Sequence, residues 1–310
     1  MAKATRAAFG ETLIELVSQG HNIVAVDADL AGSTTTAKFG AAYPDRFYDV
    51  GIAEQNMIGL AAGLSLSGAC AFTGSFAVFG TGRCYDQIRN TVCYPALNVK
   101  ICPTHSGVSV GPDGGSHQML EDISLMRGLP NMRVLVPADY HSAKEAIKLA
   151  AQEEGPVYVR LGRASVPELY EEGQIQMRFG SSHKLQDGTD LSIFACGLEV
   201  SEAIKAAEIL KQEGITVDLI DVYSIKPLDR DALLASAKKT NRVLCCEEHS
   251  IYGGLGSAVA ELLAQEHPCH MAFVGTQDVF GTSGEIEELL EEYQLDAQSI
   301  VRAAKKLVGR

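Results

Sequence analysis

Ile23-Val24-Ala25-Val26-Asp27-Ala28-Asp29 is a continuous apolar run that stops on two acids. A short run that is apolar on every residue and then turns polar is the pattern of a parallel strand covered on both faces. On its N-terminal side, residues 5–19 carry Phe9, Leu13, Leu16 and Val17 at helical spacing before Gly20, which predicts a helix with a glycine stop. On its C-terminal side the same rhythm continues. Strands are predicted over 47–50, 69–72, 99–102, 134–136 and 157–159, and helices over 55–66, 85–92 and 142–152. Strands alternating with helices imply an α/β unit built on a largely parallel sheet.

Pro167, Gly173, Gly180 and Gly188 interrupt this rhythm in a polar stretch, the composition of a connection that crosses a surface. A second α/β run follows, with strands predicted over 191–195, 217–222, 243–246 and 271–274 and helices over 199–213, 230–238 and 258–265. The acidic segment 285–292 reads as a solvated helix face. The expected organisation is two domains, each a largely parallel sheet flanked by helices: 1–165, a linker over 166–188, and 189–310.

The chain has 310 residues, 46% hydrophobic and 21% charged, enough for two sizeable cores. A net charge of −13 argues against a nucleic-acid or anionic-membrane partner. None of the eight cysteines forms a CxxC pair, and reduced thiols in a cytoplasmic protein are expected. No apolar run is long enough to span a bilayer, and the N-terminal pattern is not that of a secretory leader.

In parallel α/β sheets, ligands bind beyond the carboxyl ends of the strands. In the first domain the unusual polar residues gather there. Asp27 and Asp29 follow the first strand, Glu54 the second, Ser75 and Phe76 the third, His105 the fourth, and Arg160 and Arg163 the last. Residues 104–118 form a glycine-rich, nearly charge-free loop with two histidines and one aspartate. Loops of that length are often functional, and composition alone leaves a functional and a bland surface reading both open. Glu54 is open in the same way, because a glutamate at a helix start also serves the helix dipole. Gly253-Gly254-Leu255-Gly256-Ser257-Ala258 follows a strand and opens a helix. It lacks the third glycine and the ribose-binding acid of a dinucleotide fingerprint, so a tight turn without a nucleotide is expected.

Taken together, these segments resemble the pyrimidine-binding and C-terminal domains of transketolases. Asp49-Val50-Gly51-Ile52-Ala53-Glu54-Gln55-Asn56 is similar to the family's signature around its catalytic glutamate. Ser75-Phe76-Ala77-Val78-Phe79 resembles its aromatic segment. Thr104-His105 through Asp113-Gly114 to His117-Gln118 resembles its histidine loop, and Leu161-Gly162-Arg163 the segment with a substrate-phosphate arginine. Thr5-Arg6 and Asp29-Leu30-Ala31-Gly32-Ser33 match positions near the substrate channel, and residues 246–256 resemble the C-terminal domain. The resemblance runs over nearly the whole chain.

It implies a thiamine-diphosphate-dependent transfer of a two-carbon ketol unit from a ketose phosphate to an aldose phosphate, by default in the pentose phosphate pathway. Glu54, His105 and His117 are implied as catalytic. Ile52, Phe76 and Phe79, with Glu54, are implied to hold the cofactor's aminopyrimidine. Arg6, Ser33, His105, Asp113 and Arg163 are implied to bind the sugar phosphate. The Gly-Asp-Gly motif that holds magnesium and the diphosphate in full-length members is absent here. The resemblance therefore implies that the Mg2+ or Ca2+ ligands lie on a separate N-terminal partner chain, in an α2β2 assembly, with no metal ligand on this one. The β subunit of a 2-oxoacid dehydrogenase shares this layout, but residues 51–56 and the two-histidine loop favour transketolase. A deoxyxylulose-phosphate synthase relationship is suggested by Cys84-Tyr85-Asp86-Gln87, although that enzyme is normally one chain. A non-catalytic scaffold relative would be expected to lack Glu54 or the histidines.

Overall fold

The structure, a computed structural model, describes residues 2–309. Its first part contributes β1 (Ala2–Ala4), β2 (Ile23–Asp27), β3 (Phe47–Asp49), β4 (Cys70–Gly74), β5 (Val99–Ile101), β6 (Arg133–Leu135), β7 (Val157–Val159) and β8 (Ser165–Pro167). The rest contributes β9 (His183–Gln186), β10 (Leu191–Ala195), β11 (Val217–Asp221), β12 (Ser224–Lys226), β13 (Arg242–Ser250) and β14 (His270–Thr276). Seven strands form one sheet in the order β12-β6-β7-β5-β4-β2-β3, and five form a second in the order β14-β13-β10-β11-β9. Within the first sheet every pairing is parallel except β12 with β6. In the second only the edge strand β9 is antiparallel. This is the two-sheet α/β architecture predicted above.

The apolar runs become central strands because both their faces are covered. Every residue of β2, β4, β10 and β11 is buried, as a strand roofed by helices on both sides requires. The two sheets are not separately cored. One apolar cluster runs from Val24, Ile58 and Ile101 to Phe194, Val243 and Val259. The strand β12 comes from the second half of the chain yet edges the first sheet, and the Lys226 ammonium beside it donates to the carbonyls of Arg127 and Leu129.

The segment 166–188 is more than the surface crossing expected. It begins within β8, which pairs with β1, and ends with β9 on the second sheet. Between them Tyr170, Ile175 and Met177 are buried. The Tyr170 hydroxyl donates to Asp221 at 2.7 Å, and the N–H groups of Leu169 and Tyr170 donate to Asp139 at 2.8 and 3.0 Å. Asp139 also caps the helix Tyr140–Gln152 through a capping box with Ser142, so one carboxylate closes a helix and anchors the connection.

The glycine segment after β13 explains itself. The Glu247 carboxylate accepts from the N–H groups of Leu255 and Gly256 at 2.7 and 2.8 Å, at the start of the helix Leu255–Glu266. A helix N-terminus attracts an anion, and here the chain's own side chain fills that place. A Cβ on Gly254 would sit 2.0 Å from Glu247 Oε2. The glycine keeps the carboxylate in its seat.

Candidate active site

In the first sheet the chain leaves β2 for β3 on one side and then crosses to β4 on the other. Such a reversal opens a crevice at the carboxyl ends of the strands. Glu54 lies on this crossing. The Asp49 side chain accepts from the N–H groups of Gly51 at 2.9 Å and Asp29 at 3.1 Å. Gly51 turns the chain with a φ of 69°, a conformation that suits glycine. Glu54 is then the first residue of the helix Glu54–Leu66, 4% exposed, and Ile52 stands beside it 79% exposed. Both carboxylate oxygens of Glu54 accept from Arg83 Nη1, at 2.9 and 3.0 Å.

Beyond β4 and β5 the backbone pairs once more, Phe76 against Thr104. That bridge brings the aromatic segment to the histidine loop. The Phe76 ring stacks on His105 at 3.7 Å between centroids and on Phe79 at 6.2 Å, while His117 meets Phe79 edge-on at 5.4 Å. Phe76 is thereby almost enclosed, and Phe79 is the partly open ring of the pair. The Arg83 guanidinium lies over Phe79, 4.6 Å from the ring centre, so Glu54 is joined to the aromatic cluster through Arg83.

His105 is buried, with a φ of 61°. Its Nδ1 contacts Thr104 Oγ1 at 2.7 Å and its Nε2 contacts Arg6 Nη1 at 3.3 Å. A guanidinium only donates, so Nε2 is the acceptor and Nδ1 carries the proton. Desolvation, followed by the charges of Arg6, Arg163 and His117, pushes the imidazole down to about 3. His105 is thus a neutral ring whose Nε2 lone pair faces Arg6.

Arg6 is held by its neighbours in the fold. Its N–H bonds Gly162 at 3.3 Å, and its Nη1 donates to the Ser33 carbonyl at 2.8 Å. The Ser33 turn is pinned by buried Asp27, which accepts from Leu30 N–H and from the Thr34 and Thr36 hydroxyls, each at 2.8 Å. Desolvation and the neighbouring Arg163 lower the Arg6 pKa. Two guanidinia beside one another form an anion site. Arg163 also donates to the Val110 carbonyl in the histidine loop.

The loop itself is braced by the second domain. The Gln118 amide donates to the carbonyls of Val108 and Thr282 at 3.0 and 2.9 Å. Glu248 accepts the Ser109 N–H. Buried Arg160 donates to both oxygens of Asp122 and to the Glu248 carbonyl.

Of the residues singled out in the sequence, Phe76, Phe79, His105 and His117 form one contact group. Arg6, Ser33 and Arg163 form a second that touches it through Arg6 and His105. Glu54 reaches the first through Arg83. Ile52 and Asp113 stand on the exposed rim. Arg83, Thr104 and Glu248 were given no role from the sequence. Arg83 lies four residues after Phe79, a helical spacing that could have signalled it. Glu248 lies far along the chain and carried no local signal. Among the described residues no group of three or more His, Cys, Asp or Glu is arranged to hold a metal ion. No helix among them is long and apolar enough to cross a membrane.

A family model for the transketolase pyrimidine-binding domain matches residues 1–168, and one for the transketolase C-terminal domain matches residues 180–300. A provisionally assigned transketolase C-terminal section from Methanocaldococcus jannaschii is 48% identical over 302 residues, 97% of this chain and 95% of that protein. The 6-deoxy-6-sulfo-D-fructose transketolase subunit SqwH of a Clostridium species is 39% identical over 305 residues, 98% of this chain and 94% of that one. A solved structure described as a split gene transketolase, inactive beta4 tetramer, superposes with a TM-score of 0.91 at 46% identity, covering 100% of this chain and 99% of that chain.

Proposed function

This chain belongs to the transketolase family as the C-terminal part of a split enzyme, and from that premise we propose that it catalyses two-carbon ketol transfer from a ketose phosphate to an aldose phosphate together with an N-terminal partner subunit. Family membership implies dependence on thiamine diphosphate. The single observation that carries the reading is that Glu54 and Phe79 address one and the same planar group. A flat, nitrogen-bearing group, the Arg83 guanidinium, is seated against the aromatic face and the carboxylate. An aminopyrimidine asks for those two contacts, so the residues fit that half of the cofactor.

Bound thiamine diphosphate would supply an electron sink for cleaving the bond beside a ketose carbonyl. The chain's own residues supply the rest. Glu54 would bond a ring nitrogen of the cofactor, the open ring of Phe79 backed by Phe76 would wall it, and Ile52 would support it from the rim. Neutral His105 accepts a substrate hydroxyl at Nε2 once Arg6 turns to the sugar phosphate, and His117, across Phe79, is the second proton-handling group. Arg6 and Arg163 bind the sugar phosphate, and Ser33 shapes that end of the channel. Asp113 recognises a donor hydroxyl. The diphosphate and its Mg2+ or Ca2+ ion are assigned to the partner chain in an α2β2 assembly. The relative described as an inactive beta4 tetramer supports the need for that partner.

The test is reconstitution with a chain carrying the Gly-Asp-Gly motif. Ketol transfer is expected from the pair and not from this chain alone. Glu54→Gln in the pair is expected to lower kcat by about 10²–10⁴-fold with an unchanged melting temperature. Full activity without a partner, or pyruvate decarboxylation in place of ketol transfer, would overturn the reading.

A further inference from the structure

Arg83 does with one planar group what the cofactor's ring is proposed to do. It lies on the face of Phe79 and bonds both oxygens of Glu54. A guanidinium is flat, delocalised and able to stack while it hydrogen-bonds. It imitates an aminopyrimidine in shape and in its two contacts, with the hydrogen bond to Glu54 running the opposite way. The two cannot share one aromatic face and one carboxylate.

Three further observations bear on the same residue. Arg83 ends a π-helical turn, Val78–Arg83, and a second π-helical turn, Ile88–Cys93, follows closely. Such turns are rare and recur at functional sites. The Arg83 side chain is 49% exposed while Glu54 is 4% exposed, so solvent is open to the arginine when it leaves and closed to the acid. Gln55 Nε2 donates to the Arg83 carbonyl at 3.1 Å, which ties the backbone of this turn to the Glu54 helix and leaves the side chain as the moving part.

Chemistry sharpens the conflict. Arg83 Nη1 donates to both oxygens of Glu54, whereas a ring nitrogen of the cofactor would accept from the same carboxyl. The clasped state and the ring-bound state exclude each other.

We propose that Arg83 is an internal occupant of the pyrimidine pocket, which clasps Glu54 and covers Phe79 in the unpartnered subunit and must swing into solvent before a thiamine ring can enter. The proposal rests on the assignment of this pocket to the cofactor's aminopyrimidine. It makes loading conditional. The apparent affinity for the ring is the intrinsic affinity scaled by the fraction of open pockets, so removing the clasp raises it without any new contact.

The test is titration of the isolated full-length chain with 4-amino-5-hydroxymethyl-2-methylpyrimidine, followed by ligand-observed NMR and calorimetry. The wild-type chain is expected to bind weakly and Arg83→Met at least about tenfold more tightly. Adding Phe79→Leu to Arg83→Met is expected to abolish the gain, an effect that loosening the turn would not produce. Should Arg83→Met fold poorly, Arg83→Gln, with a polar side chain on the same half-exposed site, carries the comparison. Equal affinity of the wild-type and variant chains, or no binding by either, overturns the clasp. Equal and tight binding leaves the pocket assignment standing. Absence of binding by every variant, together with a reconstituted pair whose ketol transfer does not depend on thiamine diphosphate, removes the assignment as well.

Discussion

The Glu248 carboxylate, on the second sheet, accepts the Ser109 N–H of the histidine loop at 2.6 Å across 139 residues of sequence. Burial raises the Glu248 pKa, while Arg160 and the Ser109 N–H act in the opposite direction. The second domain therefore reaches into the first at the loop that carries His105 and His117. The loop is held in shape by a remote carboxylate as well as by bonds within itself, such as Gln118 to the Val108 carbonyl.

Gly107 tests that brace. Its φ is 82°, and a Cβ there would lie 2.2 Å from the Glu248 carboxyl carbon. Gly107→Ala is expected to cost about 2–4 kcal/mol from left-handed strain and overpacking. It should also lower kcat/KM in the reconstituted enzyme. Thermal melts and steady-state kinetics check this, and an unaltered kcat/KM would detach the brace from the chemistry.

His105 gives a pH signature. Its folded value of about 3 lies below the ordinary 6.5, so the native state binds fewer protons than the unfolded chain between those values. Stability is then full above about 6.5 and falls as pH drops toward the folded value. Denaturant melts at pH 7.5 and 4.5 are expected to show a loss about 2–3 kcal/mol larger for the wild type than for His105→Gln. In ¹⁵N NMR the ring should stay neutral at pH 5.5. Titration near 6.5 would contradict the buried, arginine-flanked setting.

The buried pair of Asp122 and Arg160 predicts an asymmetry. Arg160 Nε and Nη2 donate to Asp122 at 2.7 and 3.1 Å, and the Tyr158 hydroxyl donates at 2.5 Å. Although burial opposes it, Arg160 lowers the Asp122 pKa. Asp122→Ala strands a buried guanidinium and is expected to cost about 3–5 kcal/mol. The double replacement Asp122→Leu with Arg160→Met should recover much of that. Urea melts of the wild type, Asp122→Leu, Arg160→Met and the double variant measure the coupling, and additive losses would deny it.

Arg163 should act on binding. Arg163→Gln removes a charge-assisted bond worth about 1.5–3 kcal/mol, so KM for a phosphorylated ketose is expected to rise by about 10–100-fold with little change in kcat. An equal rise for an unphosphorylated ketose would move Arg163 away from the phosphate.

Much of the frame was legible because burial on both faces leaves a local imprint. The predicted strands over 157–159 and 191–195 coincide with β7 and β10, whose residues are buried throughout. The edge pieces β1, β8, β9 and β12 left no comparable imprint. They are three or four residues long, part-exposed, and defined by a partner strand elsewhere in the chain. The helix Ala297–Val308 was also not anticipated, although its Ile300, Val301 and Ala304 lie buried at helical spacing. The π-helical turn that carries Arg83 follows from tertiary packing, since no residue type encodes an extra residue per turn.

By itself the sequence determined the alternation of strand and helix, the kinds of side chain at each strand end and the glycines that permit close turns, because each of these is fixed within a few residues. Tertiary structure alone decided that Arg83 would lie on Glu54, that Glu248 would hold Ser109, and that Arg6 would meet His105. Those encounters depend on strand order and on two domains closing over one loop, and a side chain carries no record of which distant neighbour the folded backbone will bring within hydrogen-bonding distance of it.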